Sequence, residues 1–157
     1  MKIYIVDFEM VLKNYSPYHE SLDRINKEKQ KFSDKIDEIK KEMESIISTS
    51  KSLFLDEANK QKSANRFKEL QSEGMKLDSD FRAEIVEMQN QELENNFSDI
   101  TELVKMWGNA SGVDIILNKN QTIFSIDKLD ATETVINILK EKDLYKEYNE
   151  EEFTISQ

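Results

Sequence analysis

Residues 22–53, LDRINKEKQKFSDKIDEIKKEMESIISTSKSL, carry the pattern that decides the fold. Leu22, Ile25, Lys29, Phe32, Ile36, Ile39, Met43, Ile46, Ser50 and Leu53 follow one another at alternating steps of three and four, and eight of these ten are apolar. The positions between them are mostly Lys, Glu, Asp and Ser. So narrow a seam predicts a coiled-coil helix rather than the wider stripe of a globular one. A helix over 18–55 would be about 55 Å long at 1.5 Å per residue. A compact domain of this length does not accommodate it, so it is expected to project.

A second helical pattern follows at Phe67, Leu70, Leu77, Phe81, Ile85, Met88, Leu93, Phe97, Ile100, Val104 and Trp107. Its steps of four, four and three from Leu77 to Met88 locally unwind a left-handed coil, and Gly74 lowers helix stability. The two patterns predict an antiparallel hairpin over 17–107. Two segments could hold its turn, STSKS at 48–52 and EANKQKSAN at 57–65, and the first is favoured. Pro17 places the start of the first long helix at or just after it.

Outside the hairpin the period changes. KIYIVDF at 2–8 is rich in β-branched and aromatic types and reads as a strand. Gly108 to Gly112 closes the second helix with a glycine free to turn left-handed. VDIIL at 113–117 and TIFSI at 122–126 then read as a β-hairpin. Asp130-Ala131-Thr132-Glu133 has the spacing of a capping box ahead of a short helix holding Val135, Ile136, Ile138 and Leu139. Residues 146–157 read as an acidic, mobile tail. The predicted class is α+β, mostly α: a β-body from 1–16 and 108–145 with a helical hairpin arm. Three strands are too few to bury a sheet, so self-association is expected to cover it. Ile3, Ile5, Val113, Ile115, Leu117 and Ile123 are the candidate body residues for that contact.

Composition narrows the chemistry. There are 157 residues with 32 acids against 22 bases, one His and a formal charge of −10. The absence of Cys removes disulfides, thiolate metal sites and a cysteine nucleophile. One His, His19, cannot make a multi-His metal site; it reads as a solvated residue at a helix start. The three glycines fit no phosphate-binding spacing. Carboxylate pairs are everywhere and single out no acid/base couple. No catalytic residue, metal or cofactor is expected. The acidic excess argues against nucleic acid as partner. No apolar run is long enough for a transmembrane helix. Met1-Lys2 leads directly into Ile3-Tyr4-Ile5-Val6-Asp7, too short for a signal peptide, so the chain as written reads as cytoplasmic.

The terminal segments resemble the Skp (OmpH-like) periplasmic chaperone family. The likeness rests on the opening strand with Val6-Asp7, on Val113-Asp114-Ile115-Ile116, and on Asp130-x-Thr132-x-x-Val135-x-x-x-Leu139, and spans roughly residues 2–142. The resemblance implies a homotrimer, jellyfish-like, whose strands form a central body and whose three helical arms enclose an unfolded outer-membrane-type client without ATP, metal or catalysis. It also implies a periplasmic setting after removal of a leader. Exported members carry a signal peptide and the familiar enterobacterial member is basic, and this chain departs from both. The alternative reading is a trimeric coiled-coil structural or assembly protein, such as a virion or scaffold component.

Charge is uneven along the chain. Residues 69–102 carry net −8, whereas 51–68 carry net +3 through Lys51, Lys60, Lys62, Arg66 and Lys68 against Asp56 and Glu57. Such a tip is either a solvated turn or a cationic contact for acidic clients or anionic lipid. Leu53-Phe54-Leu55 beside it either closes the hairpin or offers clients an apolar contact. Lys51, Leu53, Phe54, Leu55, Lys60, Lys62 and Arg66 are therefore the candidate client-binding residues. Met43, Met75, Met88 and Met106 read mostly as packing residues, and Trp107 as packed on the β-body.

Overall fold

Two short strands from opposite ends of the helical region pair with each other. In the computed structural model, which describes residues 1–52 and 55–150, β1 (Ile3–Val6) and β2 (Ile115–Asn118) form a two-stranded parallel sheet. Ile3 lies opposite Ile115, and Val6 opposite Asn118. A parallel pair needs a long crossover. Here α1 (Phe8–Lys13), α2 (Ser16–Ser50) and α3 (Glu57–Ala110) supply it. After β2 come 3₁₀ turns at Lys119–Gln121 and Asp127–Leu129, then α4 (Thr132–Glu141). The mostly helical architecture with a small sheet and two long helices is the class expected.

The chain forms two compact units, one of Met1–Arg24 with the described residues from Gln89 onward, the other of Ile25–Met88. In the second unit, the seam is visible residue by residue. From Gln30 to Ser50 the residues of α2 that are not exposed are Phe32, Ile36, Ile39, Met43 and Ile46. They face Phe67, Leu70, Gly74, Leu77, Phe81, Ile85 and Met88 on α3, where Leu70 is fully buried. Phe32 stacks on Phe81 with ring centroids 4.0 Å apart and planes within 2°. Arg66 closes the same pair of helices with two bonds to Glu42, at 2.8 and 3.1 Å.

The turn lies between Ser50 and Glu57, so 57–65 is helical, and so are residues 48–50 of the favoured segment. Asp56 caps α3, its Oδ1 accepting from the Asn59 amide at 2.8 Å. Because this cap precedes Phe67 by eleven positions, α3 begins well before its apolar pattern does. Leu53 and Phe54 lie outside the described residues. Met75 is 76% exposed and Met106 is exposed too, so only Met43 and Met88 of the four methionines lie in the seam.

The first unit holds the main core. Val6, Val11, Leu12 and Tyr15 meet Ile100 and Val104 of α3 and Ala131, Val135, Ile136 and Leu139 around α4. Tyr4, Ile116 and Trp107 pack against this cluster, with Tyr4 and Trp107 ring centroids 5.6 Å apart. α3 ends where Gly112 takes φ +63°. Gly108 faces β2, and a Cβ there would lie 2.8 Å from Ile116 Cδ1, so the end of that side chain would have to shift.

Three local expectations fail here. Residues 122–126 are not a strand and no hairpin forms. Asn118 Oδ1 accepts from the Asn120 amide, and Thr122 donates its hydroxyl to the Asn118 carbonyl, local bonds that turn the chain instead of laddering it. The capping box is also absent: Ala131 occupies the N-cap, while Asp130 Oδ1 accepts from the amide and hydroxyl of Thr132. His19 is buried, with Nε2 2.6 Å from the Lys13 carbonyl oxygen, because α2 begins at Ser16 and its first turn packs onto α1.

Gly74 offers a simple test of the seam. A Cβ added there would meet Ile39 Cγ2 at 3.9 Å, ordinary contact distance. Gly74→Ala should therefore raise stability by about 0.5–1 kcal/mol through helix propensity alone. Urea unfolding of the two proteins measures it, and a destabilised variant would show that the helices pack closer at this point.

Candidate interaction surfaces

The residues on which the family likeness rests are joined physically. The Asp7 amide donates to Thr132 Oγ1 at 2.9 Å, Thr132 Oγ1 donates to Asp130 Oδ1, and Lys119 Nζ donates to Asp130 Oδ2 at 2.7 Å. Asp7 also caps α1, accepting from the Met10 amide at 3.0 Å. At the other end of β1, the Lys2 amide donates to Asp114 Oδ2 while the Asp114 amide donates to the Lys2 carbonyl. These side chains tie the opening strand to the segments on either side of β2 and to the start of α4. Burial alone would raise the Asp130 pKa, but the bonds from Lys119 and Thr132 outweigh it and hold the carboxyl below its usual range.

Between α2 and α3, next to this core, the seam turns polar. Ser21 is buried and donates to Glu92 Oε2 at 2.6 Å while accepting from Asn96 Nδ2 at 2.8 Å. Arg24 Nη2 reaches the same Glu92 oxygen at 2.9 Å. The bond from Arg24, then that from Ser21, holds the Glu92 carboxyl below its ordinary range. Sequence periodicity put Leu93 and Phe97 in the seam here, but both are exposed and Phe97 turns its ring toward Phe8, at 5.7 Å. The seam instead steps by four from Met88 to Glu92, Asn96 and Ile100. The regular step was the available signal; the apolar residue one position on obscured it.

The first unit leaves an apolar surface open. The outward face of β2 presents Ile115 and Leu117, and the stretch after it presents Ile123, Phe124 and Ile126, with Phe124 80% exposed and Ile123 fully so. Among the described residues no strand pairs with the far edge of β2. Of the candidate body residues, Ile115, Leu117 and Ile123 thus lie at the surface, Ile3 and Val113 are half-buried, and Ile5 is buried beside the backbone bridge to Asp130. Phe124 and Ile126, close to Ile123 in sequence, are exposed too and were missed as candidates because their segment read as the second strand of a closed hairpin.

At the tip, Lys51, Lys60 and Lys62 are exposed and Leu55 is half-buried. Lys60 lies 3.6 Å from Glu57. Arg66 differs from them, since its guanidinium is engaged by Glu42 and Glu69. Among the described residues no cluster of His, Cys, Asp or Glu could hold a metal ion, and no helix is long and apolar enough to cross a membrane.

Comparison with protein families matches residues 2–139 to the family described as outer membrane protein (OmpH-like). The chain belongs to the OmpH-like family. No curated protein matches it. The OmpH-like family is known for a periplasmic, non-enzymatic chaperone function. Its match begins at Lys2 and ends at Leu139, so it embraces both the β1–β2 pair and the core around α4, which are joined by the series of bonds from Asp7 through Thr132 and Asp130 to Lys119.

The polar node makes a pH prediction. Glu92 has a depressed pKa in the folded chain, so its contribution is present above the ordinary value of 4.5 and is lost as pH falls through the depressed one. Glu92→Gln should cost about 1 kcal/mol at pH 7, a modest figure because Arg24 is half exposed. The difference between wild type and variant in urea unfolding should close below pH 4.5. A gap of the same size at pH 3 and pH 7 would remove the ionised pair from the account.

Proposed function

We propose that this protein is an ATP-independent holdase chaperone: a homotrimer that encloses unfolded clients of the outer-membrane-protein type between its helical arms. Family membership and the exposed apolar face of Ile115, Leu117, Ile123, Phe124 and Ile126 support this reading. A soluble chain gains by covering such a patch. A symmetric association of β-bodies does so while pairing the open strand edge. Residues 1–16 and 108–145 would then form the oligomerisation body and 17–107 the arm.

Client contact would be made by many weak interactions along each arm. Lys51, Lys60 and Lys62 would attract acidic segments or anionic lipid at the tip, and Leu55, with Leu53 and Phe54 outside the described residues, would add apolar contact. Arg66 serves the hairpin itself through Glu42. Enclosure keeps each client's strand edges from meeting those of another chain, which is how a holdase without ATP prevents aggregation. Family membership supports a periplasmic setting for this activity.

The test is light scattering after a urea-unfolded β-barrel protein is diluted into buffer with a molar excess of the chain. Aggregation should be suppressed, and more strongly at low salt, where the lysine contacts are least screened. Unchanged aggregation at low salt would overturn the reading in favour of a trimeric structural or assembly protein.

A further inference from the structure

The stretch after α4 does not behave as a free tail. Asp143 takes φ +56°, turning the chain back at the helix end, and the Leu144 amide donates to the Leu139 carbonyl at 2.8 Å. The chain then runs antiparallel to the corner between α1 and α2, with Tyr145 bridged to Tyr15. The Ser16 amide donates to the Leu144 carbonyl at 2.8 Å and the Lys146 amide to the Asn14 carbonyl at 3.0 Å. The Tyr148 amide adds a bond to Asn14 Oδ1 at 3.1 Å. Leu144 and Tyr145 pack against the core, and Lys13 and Lys140 lie over the Tyr148 and Tyr145 rings at 5.2 and 4.7 Å. Residues 146–148, expected to be mobile, are thus held; residues 151–157 lie outside the described chain.

All of this lies beyond Leu139, where the family match ends. It also meets a need of the helix it touches. The first amides of a helix have no partner within it. In α2 the strap satisfies Ser16, and Pro17, the next residue, has no amide hydrogen to satisfy. We infer that residues 142–148 are a strap that clamps the start of α2 against α1, so that the hold on this long helix is set by a segment outside the family domain. Release of the strap would free the 14–16 corner while leaving the seam between α2 and α3 intact.

Amide hydrogen exchange on the full chain tests this with Lys146→Pro, which removes the bond to Asn14 but leaves the Ser16–Leu144 pair untouched. The Ser16 amide should exchange at least about tenfold faster in the variant, the loss of roughly 1.4 kcal/mol of local protection, while Leu70 and Ile85 in the seam keep their rates. Tyr145→Ala should act in the same direction. An unchanged Ser16 rate in both variants, or an equal rise at Ser16, Leu70 and Ile85, would overturn the clamp.

Discussion

Everything in this chain depends on the parallel pairing of Ile3–Val6 with Ile115–Asn118. Parallel strands cannot be joined by a tight turn, so the chain must travel out and return before the sheet can exist. The two long helices make that excursion. Once the strands meet, Tyr4, Val6 and Ile116 present one face to the core built from α1, α3 and α4, and Asp7, Thr132, Asp130 and Lys119 lock the strand ends to the start of α4. Among the described residues Ile115 and Leu117 on the other face of β2, and the far edge of that strand, stay open, which is what creates the surface available for association.

The helices stay narrow because only one stripe on each is apolar. A two-helix seam of this kind buries few residues, so its pairing is decided by a small number of specific contacts. Stacking of Phe32 on Phe81 and the Arg66–Glu42 pair fix the register in one unit, and the Ser21–Arg24–Glu92–Asn96 node fixes it in the other. A buried polar group specifies register by penalising every alternative that leaves it unsatisfied. The node therefore gives up some apolar burial in exchange for a defined alignment.

Much of this was legible in the sequence. The seam from Phe32 to Ile46 is half-buried at each expected position, because a strict three-four repeat leaves a helix only one face to cover. The terminal segments named by family likeness are the ones that knit the first unit together. What could not be read were features set by individual side-chain partners, some distant in sequence and some local. Leu93 and Phe97 looked like seam residues until Ser21, about seventy positions earlier, supplied polar partners for Glu92 and Asn96. TIFSI has strand composition, yet the side chains of Asn118 and Thr122 turn the backbone away from pairing. His19 is buried because Lys13 offers it a carbonyl, which no local pattern announces. The client-contact candidates at the tip remain a proposal, with Arg66 now accounted for by the hairpin.

A face of five exposed apolar side chains beside an unpaired strand edge is costly for a lone chain. What covers this face decides how the protein works, and a second and third copy of the chain are the proposed cover. The most direct measurement is the solution mass of the full chain by light scattering coupled to size exclusion. Three times the 18.5 kDa chain mass is predicted, and a single 18.5 kDa species at micromolar concentration would contradict the trimer and the enclosure built on it.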